Sequence, residues 1–350
     1  MADYTNTRGI FSLLDVRERQ AAGVWSTRED VWNAPSPFNA STPAPFGYFA
    51  GGNTPSPENE SSGIDRVDYS NDTATALARG SLNTGRRNLS ATGNASFGYF
   101  GGGYNDTPGG LTTVDRIDYG NDTATALAKG PLSLPSYSLA ATGNINFGYF
   151  AGGRRAGSPP ETSRVDRIDY SNDTATASPK GPLSAVRGYG VQATGNQSFG
   201  YVGGGGQPGK STVERIDYGN DTATASPKGP LSSARNYLAA TGNASFGYFG
   251  GGGSPAKSTV DRIDYSSDTG TAPAKGPLSV ARDLLAATGN TSFGYFGGGS
   301  PRSTVDRIDY SNDTATASAK GPLTPVSVSY THLRAHETRE DLVCRLLLEK

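Results

Sequence analysis

The stretch Leu238-Ala-Ala-Thr-Gly-Asn-Ala-Ser-Phe-Gly-Tyr-Phe-Gly250, followed after a short loop by Thr259-Val-Asp-Arg-Ile-Asp-Tyr265, decides the architecture. Its apolar or alternating runs are short, and each is bounded by Gly, Asn, Ser or Asp, so Leu238 to Thr241, Phe246 to Phe249 and Thr259 to Tyr265 read as strands between turns. Gly242-Asn243 is expected to close a tight hairpin because both residues tolerate positive φ. The glycines from Gly250 to Gly252 let the backbone bend and let neighbouring chains approach. Ser266-Ser-Asp-Thr269 reads as a turn, and Thr271 onward as a thin outer strand. Period two puts Phe246 and Tyr248 on one face and Gly247 and Phe249 on the other, so large side chains meet a glycine notch where such units stack.

The same unit recurs along the chain. Phe-Gly-Tyr-Phe/Val starts at Phe46, Phe97, Phe147, Phe199, Phe246 and Phe293, and Asp/Glu-Arg-Ile/Val-Asp-Tyr has its arginine at Arg66, Arg116, Arg167, Arg215, Arg262 and Arg307. Ala-Thr-Gly-Asn begins at Ala91, Ala141, Ala193, Ala240 and Ala287, and Gly-Pro-Leu at Gly130, Gly181, Gly229, Gly276 and Gly321. Four strands per repeat at this period predict an all-β chain, a β-propeller of about six four-stranded blades. The first unit shows no inner strand before Phe46, and the last ends at Leu323 where another inner strand should begin, so a ring closed by a C-terminal inner strand is one expectation and a truncated array the other.

Composition agrees. Glycine, at 48 of 350 residues, is about twice its average usage, and hydrophobic residues make up only 34%. The net charge of -1 is unlike that of a disordered chain, which combines low hydrophobicity with strong charge. Balanced charge gives no electrostatic footprint for nucleic acid or a membrane surface. The first residues lack the apolar core of a secretory signal and no run approaches a membrane span, so a cytoplasmic or virion-associated location is expected. The Asn-x-Ser/Thr sequons are then turn asparagines.

The repeat resembles the kelch family. Phe293-Gly-Tyr-Phe-Gly-Gly, Val305-Asp-Arg-Ile-Asp-Tyr310 and the proline-containing crossing Gly276-Pro-Leu-Ser-Val-Ala-Arg282 carry the likeness, which covers residues 46–323. The tryptophan that kelch units place after the tyrosine is replaced by Ala or Thr, as at Thr125 and Ala126. Residues 1–45 form a non-repeat leader with a helix expected from Leu13 to Ala22; Arg8-Gly-Ile-Phe-Ser-Leu and Gly23-Val-Trp resemble leader segments of phage-encoded and marine-metagenome structural proteins. Residues 324–350 form a tail in which Ser329-Tyr-Thr-His-Leu-Arg-Ala-His-Glu-Thr resembles a translated sequencing-adapter read-through; an amphipathic helix carrying Leu342, Leu346 and Leu347 is the other reading.

Little in the repeats points to chemistry. The only cysteine and both histidines, Cys344, His332 and His336, lie in the tail, so the rest lacks the usual metal ligands, general base and thiol nucleophile. A galactose-oxidase-like copper site is not supported, and no cofactor is expected. Gly204-Gly-Gly-Gln-Pro-Gly-Lys-Ser211 satisfies the phosphate-loop pattern, but the residues after it read as a strand, whereas a phosphate loop must open a helix. The Asp169-to-Thr174 turn lacks the spaced oxygen ligands of a calcium loop. Carboxylate pairs such as Asp115 and Asp118 recur in every blade, which suggests a structural role with Arg116 or its equivalents.

The leading expectation is a non-catalytic binding module with a protein or glycan partner. A phage virion or tail-associated adhesin is the alternative, and a carboxylate-dependent glycan-directed enzyme is the alternative of another class. In an up-and-down blade the loops between the second and third strands emerge on one face with the crossings into the next blade. These loops vary in length and chemistry, from Asn53–Gly63, Tyr104–Thr112 and Arg154–Ser163 to the shorter Gln207–Lys210, Ser254–Lys257 and Ser300–Arg302, whereas the opposite turns are short and uniform. Variation on a fixed scaffold marks the candidate interaction face. Its expected residues are Arg87, Arg154, Arg155, Arg187, Lys210, Arg235, Lys257, Arg282 and Arg302, with a ring of cations at Arg79, Lys129, Lys180, Lys228, Lys275 and Lys320.

Overall fold

The computed structural model describes residues 45–52, 60–105, 110–155, 160–299 and 303–324. The readings of the leader, its helix and nearly all of the tail lie outside these residues, as does Arg302.

Six antiparallel sheets succeed one another as blades. Blade 1 comprises β1 (Phe46–Ala50), β2 (Ile64–Asp68) and β3 (Leu77–Ala78). Blade 2 comprises β4 (Ser90–Gly93), β5 (Phe97–Gly101), β6 (Val114–Asp118) and β7 (Leu127–Ala128). In blade 3 these become β8 (Ala140–Gly143), β9 (Phe147–Ala151), β10 (Val165–Asp169) and β11 (Ser178–Pro179). Blade 4 holds β12 (Gln192–Gly195), β13 (Phe199–Gly203), β14 (Val213–Asp217) and β15 (Ser226–Lys228). Blade 5 holds β16 (Ala239–Gly242), β17 (Phe246–Gly250) and β18 (Val260–Asp264); its outer strand is reduced to a single bridge, Asp261 to Ala274. Blade 6 ends the ring with β19 (Leu285–Gly289), β20 (Phe293–Gly298), β21 (Val305–Asp309) and β22 (Ser318–Lys320). The inner strands β4, β8, β12, β16 and β19 pack in succession, and β19 reaches β1, so blade 6 meets blade 1 in a six-bladed β-propeller. Among the described residues the first sheet has three strands, and no α-helix occurs.

Blades are joined by a ring-in-notch contact of the second strands, but the notch is the glycine three positions beyond the expected one, Gly250 and its equivalents rather than Gly247. The ring of Phe249 lies where a Cβ on Gly203 of the preceding blade would be, at 2.9 Å, and Phe296 does the same at Gly250. Where the notch is Ala151, the next blade offers Val202 in the same cluster. Gly247 instead makes room for Thr194 and the Tyr265 hydroxyl.

The hairpin glycines differ from the expectation in their reason. Neither Gly242 nor Asn243 has positive φ. Glycine is required at 242 because a Cβ would stand 2.3 Å from the Phe246 carbonyl oxygen, and Asn243 Oδ1 closes the turn by accepting from the amides of Ser245 and Phe246. Gly251 and Gly252, at φ +66 and +80, do use their conformational freedom.

Polar ties repeat with the blades. The aspartate of each turn after the third strand gathers three side chains of the preceding blade: Asp221 accepts from the Tyr149 hydroxyl at 2.9 Å and from Arg167 at 2.7 Å, and forms an ion pair with Lys180 at 3.4 Å. The tyrosine after the third strand stacks on that same tyrosine, as Tyr218 does on Tyr149 at 4.7 Å, and its hydroxyl reaches the inner-strand threonine Thr142 at 2.8 Å. Each crossing glycine is wedged against the next blade's turn, as Gly229 is against the Gly270 carbonyl.

Candidate binding face

Bridges between Arg87 and Tyr104, Tyr137 and Arg154, Thr162 and Arg187, Lys210 and Arg235, and Lys257 and Arg282 hold the loops between the second and third strands, long and short, beside the crossings, so both lie on one face as the topology demands. The residues expected there separate into two groups. Arg187, Arg235 and Arg282 are buried, at 1%, 0% and 2% exposure, and form ion pairs with Glu214, Asp261 and Asp306. Each also donates to backbone carbonyls of its neighbours, as Arg235 does to Gly251 and Thr259. They are interior ties rather than surface donors. Arg86, not its neighbour Arg87, is their equivalent in blade 2, pairing with Asp115 at 2.8 Å. Asp115 therefore bonds to Arg86 and not to Arg116, which reaches Asp173 of the next blade. Blade 3 has Ser136 at this place, and Asp166 takes Arg164 and Ser133 instead.

The expected cation ring is likewise internal to the scaffold. Lys129, Lys180, Lys228, Lys275 and Lys320 pair with Asp173, Asp221, Asp268, Asp313 and Asp72, and Arg79 pairs with Asp122. A partner docking on this ring would have to compete with those aspartates.

What reaches the surface is a continuous row of aromatic and guanidinium groups that cationic spacing alone misses. Arg87, paired with Glu60 at 2.9 Å, lies 5.0 Å from the Tyr104 ring; Tyr104 lies 5.4 Å from Tyr137. Arg154 then sits between Tyr137, at 5.5 Å, and Tyr189, at 4.1 Å, and Tyr189 meets Tyr237 edge-on at 6.4 Å. All six are half-buried. Arg155 beside them is exposed. Lys210 and Lys257 are half-buried, and their ammonium groups point back to the Val186 carbonyl and the Ser233 hydroxyl.

Crossing geometry fixes the end of this row. Asn88, Ser138, Tyr189, Tyr237 and Leu284 precede successive inner strands and all adopt φ between 51° and 60°. For L-residues this costs about 1–2 kcal/mol each, and backbone bonds hold it: Ser138 N–H donates to Asn88 at 2.8 Å, Tyr237 to Tyr189 at 3.3 Å, and Leu284 to Tyr237 at 2.9 Å. Burial pushes the Asp283 carboxyl above its usual range, and burial followed by the neighbouring Tyr189 does the same for Tyr237. A cavity of about 430 Å³ opens beside the row between Gln207, Pro208, Gly209, Asn236, Gly253 and Ser254. By contrast, the recess between inner-strand residues such as Thr92, Thr142 and Thr194 measures about 30 Å³, enough for roughly one water.

Two motifs take ordinary roles. The phosphate-loop lookalike leads into β14, so its amides gain no helix N-terminus. In the turn from Asp169, Oδ1 accepts from the Ser171 amide and hydroxyl, and Asp173 is the inter-blade acceptor described above.

The tyrosines carried a sequence signal, since Ser-Tyr-Ser, Gly-Tyr-Gly and Asn-Tyr-Leu stand before successive inner strands. The fold is thus a β-propeller in which the described loops and crossings carry a row of tyrosine and arginine side chains. No family model matches the sequence, and no curated protein matches it.

Proposed function

We propose that the chain is a non-catalytic binding module of kelch-like kinship whose partner docks on the face of the long loops and crossings. The aromatic and arginine row carries this reading: the blades repeat closely elsewhere, and here they build a surface that blade-to-blade packing does not require. Aromatic and arginine side chains give large contact area at low conformational cost. The Phe-Gly-Tyr-Phe-Gly-Gly strands and the arginine-bearing crossings support the kinship. An absence of catalysis is supported by the carboxylates already engaged, Asp115 with Arg86 and Asp118 with the Gly120 amide. An adhesin on a virion would be one setting for the same face.

The test is a screen of the protein against glycan and acidic-peptide arrays, repeated with Tyr137→Ala/Tyr189→Ala and with Thr222→Ala on the opposite turns. Retention lost in the first variant and kept in the second is expected, with folding checked by circular dichroism. Ligands held equally by the folded row variant, or lost with Thr222→Ala, would place the docking site elsewhere.

A further inference from the structure

Resting on that docking face, we infer that the row recognises an acidic glycan, with Arg154 as the anchor for a sugar carboxylate. Arg154 is the only half-buried arginine among the described residues without an ion pair, and its Nε is buried with no hydrogen-bond acceptor. Every other buried or half-buried guanidinium among the described residues is paired with an aspartate or glutamate, although several of them, Arg66 and Arg235 included, also leave Nε without an acceptor, so it is the missing ion pair that sets Arg154 apart. Glu161 bridges to Arg154 through the backbone, yet no ion pair forms between them. Two tyrosine rings, Tyr137 and Tyr189, flank the guanidinium. Its N–H donors then serve the planar, two-pronged acceptor that a carboxylate provides.

The surroundings are built for this side chain. Gly188 is buried, and a Cβ there would stand 2.7 Å from Arg154 Cγ and 3.0 Å from Glu161 Cγ, so glycine leaves the room that the arginine stem fills. The Arg154 backbone is pinned to Tyr137 by two bonds, at 2.7 and 3.0 Å. Tyr189 and Tyr237 are held at their strained φ, which fixes where their rings start.

A glycan fits better than a peptide because the row alternates tyrosine rings and their hydroxyls with a guanidinium. A pyranose offers a C–H face for stacking and an equatorial belt of hydroxyls, so successive sugars can lie along Tyr104, Tyr137, Tyr189 and Tyr237. Peptide side chains would look for apolar pits; of the exposed large hydrophobics, Leu77 and Leu127 lie on outer strands, and Leu134 and Val186, in the crossings, stand exposed rather than lining a pit.

The experiment is calorimetric titration of the full chain with a galacturonate oligomer and with its methyl ester, which keeps the sugar and removes the charge. Binding of the acid, weaker in high salt, and about ten- to hundred-fold weaker binding of the ester are expected. Arg154→Ala should lose a similar factor for the acid while leaving the ester unchanged. Gly188→Ala, which displaces the arginine stem, and Arg154→Lys, which keeps the charge without the fork, repeat the test should Arg154→Ala fail to fold. Equal binding of acid and ester would overturn the carboxylate anchor and leave the docking face standing. Failure of both to bind, with an acidic peptide retained on the row, would overturn the glycan reading alone. Retention of any ligand indifferent to Tyr137→Ala/Tyr189→Ala would overturn both.

Discussion

Tyr119 and Tyr170 occupy the same place in successive blades, yet among the described residues only Tyr170 has a hydroxyl partner, Thr92 at 2.9 Å, while the buried Tyr119 hydroxyl has none. The partner comes from the inner strand of the preceding blade, and for Tyr119 that would be blade 1, whose described sheet begins at β1. A buried hydrogen bond contributes about 1 kcal/mol net, and a buried hydroxyl without one costs. Tyr170→Phe should therefore lower stability by about 1 kcal/mol, whereas Tyr119→Phe should be neutral or stabilising; equal losses in urea unfolding would contradict the assignment. The inter-blade aspartates set the response to acid. Burial works against ionisation of Asp72, Asp173 and Asp268, but hydrogen bonds from Tyr295, Tyr99 and Tyr201 and from the paired lysines outweigh it, and all three lie below the ordinary value. A depressed folded value means that the stabilisation is fully present above the unfolded value near pH 4. It is lost as pH falls further, through the folded values. The midpoint of urea unfolding should stay flat through these groups' range down to about pH 4 and drop below it; a drop that begins well above pH 5 would assign acid sensitivity elsewhere.

The crossing between blades is the element on which reading the sequence and seeing the structure diverge most. Strands and turns were legible because their signals are local: alternation in Phe246–Phe249, and Gly, Asn and Asp at the turns. The fate of Arg235 is not local, since its carboxylate, Asp261, lies 26 residues on in the third strand of the next blade. A cation after a Gly-Pro-Leu turn looks like a solvated loop charge until the blades close over it. The Tyr row was hidden for a related reason, because its members come from four crossings and loops that approach only after stacking. This element yields a prediction of its own. Removing one partner of a buried ion pair costs about 3–5 kcal/mol, while replacing both by apolar groups costs far less. Arg235→Met should be destabilised by that amount in urea unfolding, and Arg235→Met with Asp261→Leu should recover much of it. Additive losses would show that Arg235 acts chiefly through its bonds to the Gly251 and Thr259 carbonyls.

At the scale of the whole molecule, one interface differs from the other five in connectivity while matching them in chemistry. Asp72 of blade 1 accepts from Tyr295 at 2.9 Å and from Arg307 at 2.7 Å, and pairs with Lys320 at 3.2 Å, the same set that Asp221 takes from blade 3. Phe49 fills the Gly297 notch, Gly321 N–H donates to Asp72 at 2.8 Å, and Thr324 donates to the buried Asp65. Residues 223 and 235 apart in sequence are thereby brought together. At the Asp221 interface the crossing from Gly181 to Val191 tethers blade 3 to blade 4, so a weakened contact reforms at high effective concentration. Between blades 6 and 1 reclosure must instead bring together segments more than 200 residues apart, with the larger entropy cost that long loops carry. Asp72→Ala and Asp221→Ala remove equivalent acceptors and should each cost about 1–3 kcal/mol. Their local consequences should differ: hydrogen exchange in Asp72→Ala should rise first at β1, β2 and β21, well below the global unfolding transition, while Asp221→Ala should leave exchange at its own interface close to the global rate. The same exchange pattern in both variants would mean that the closing interface is no weaker than the tethered ones, and that the ring opens with equal ease at any blade.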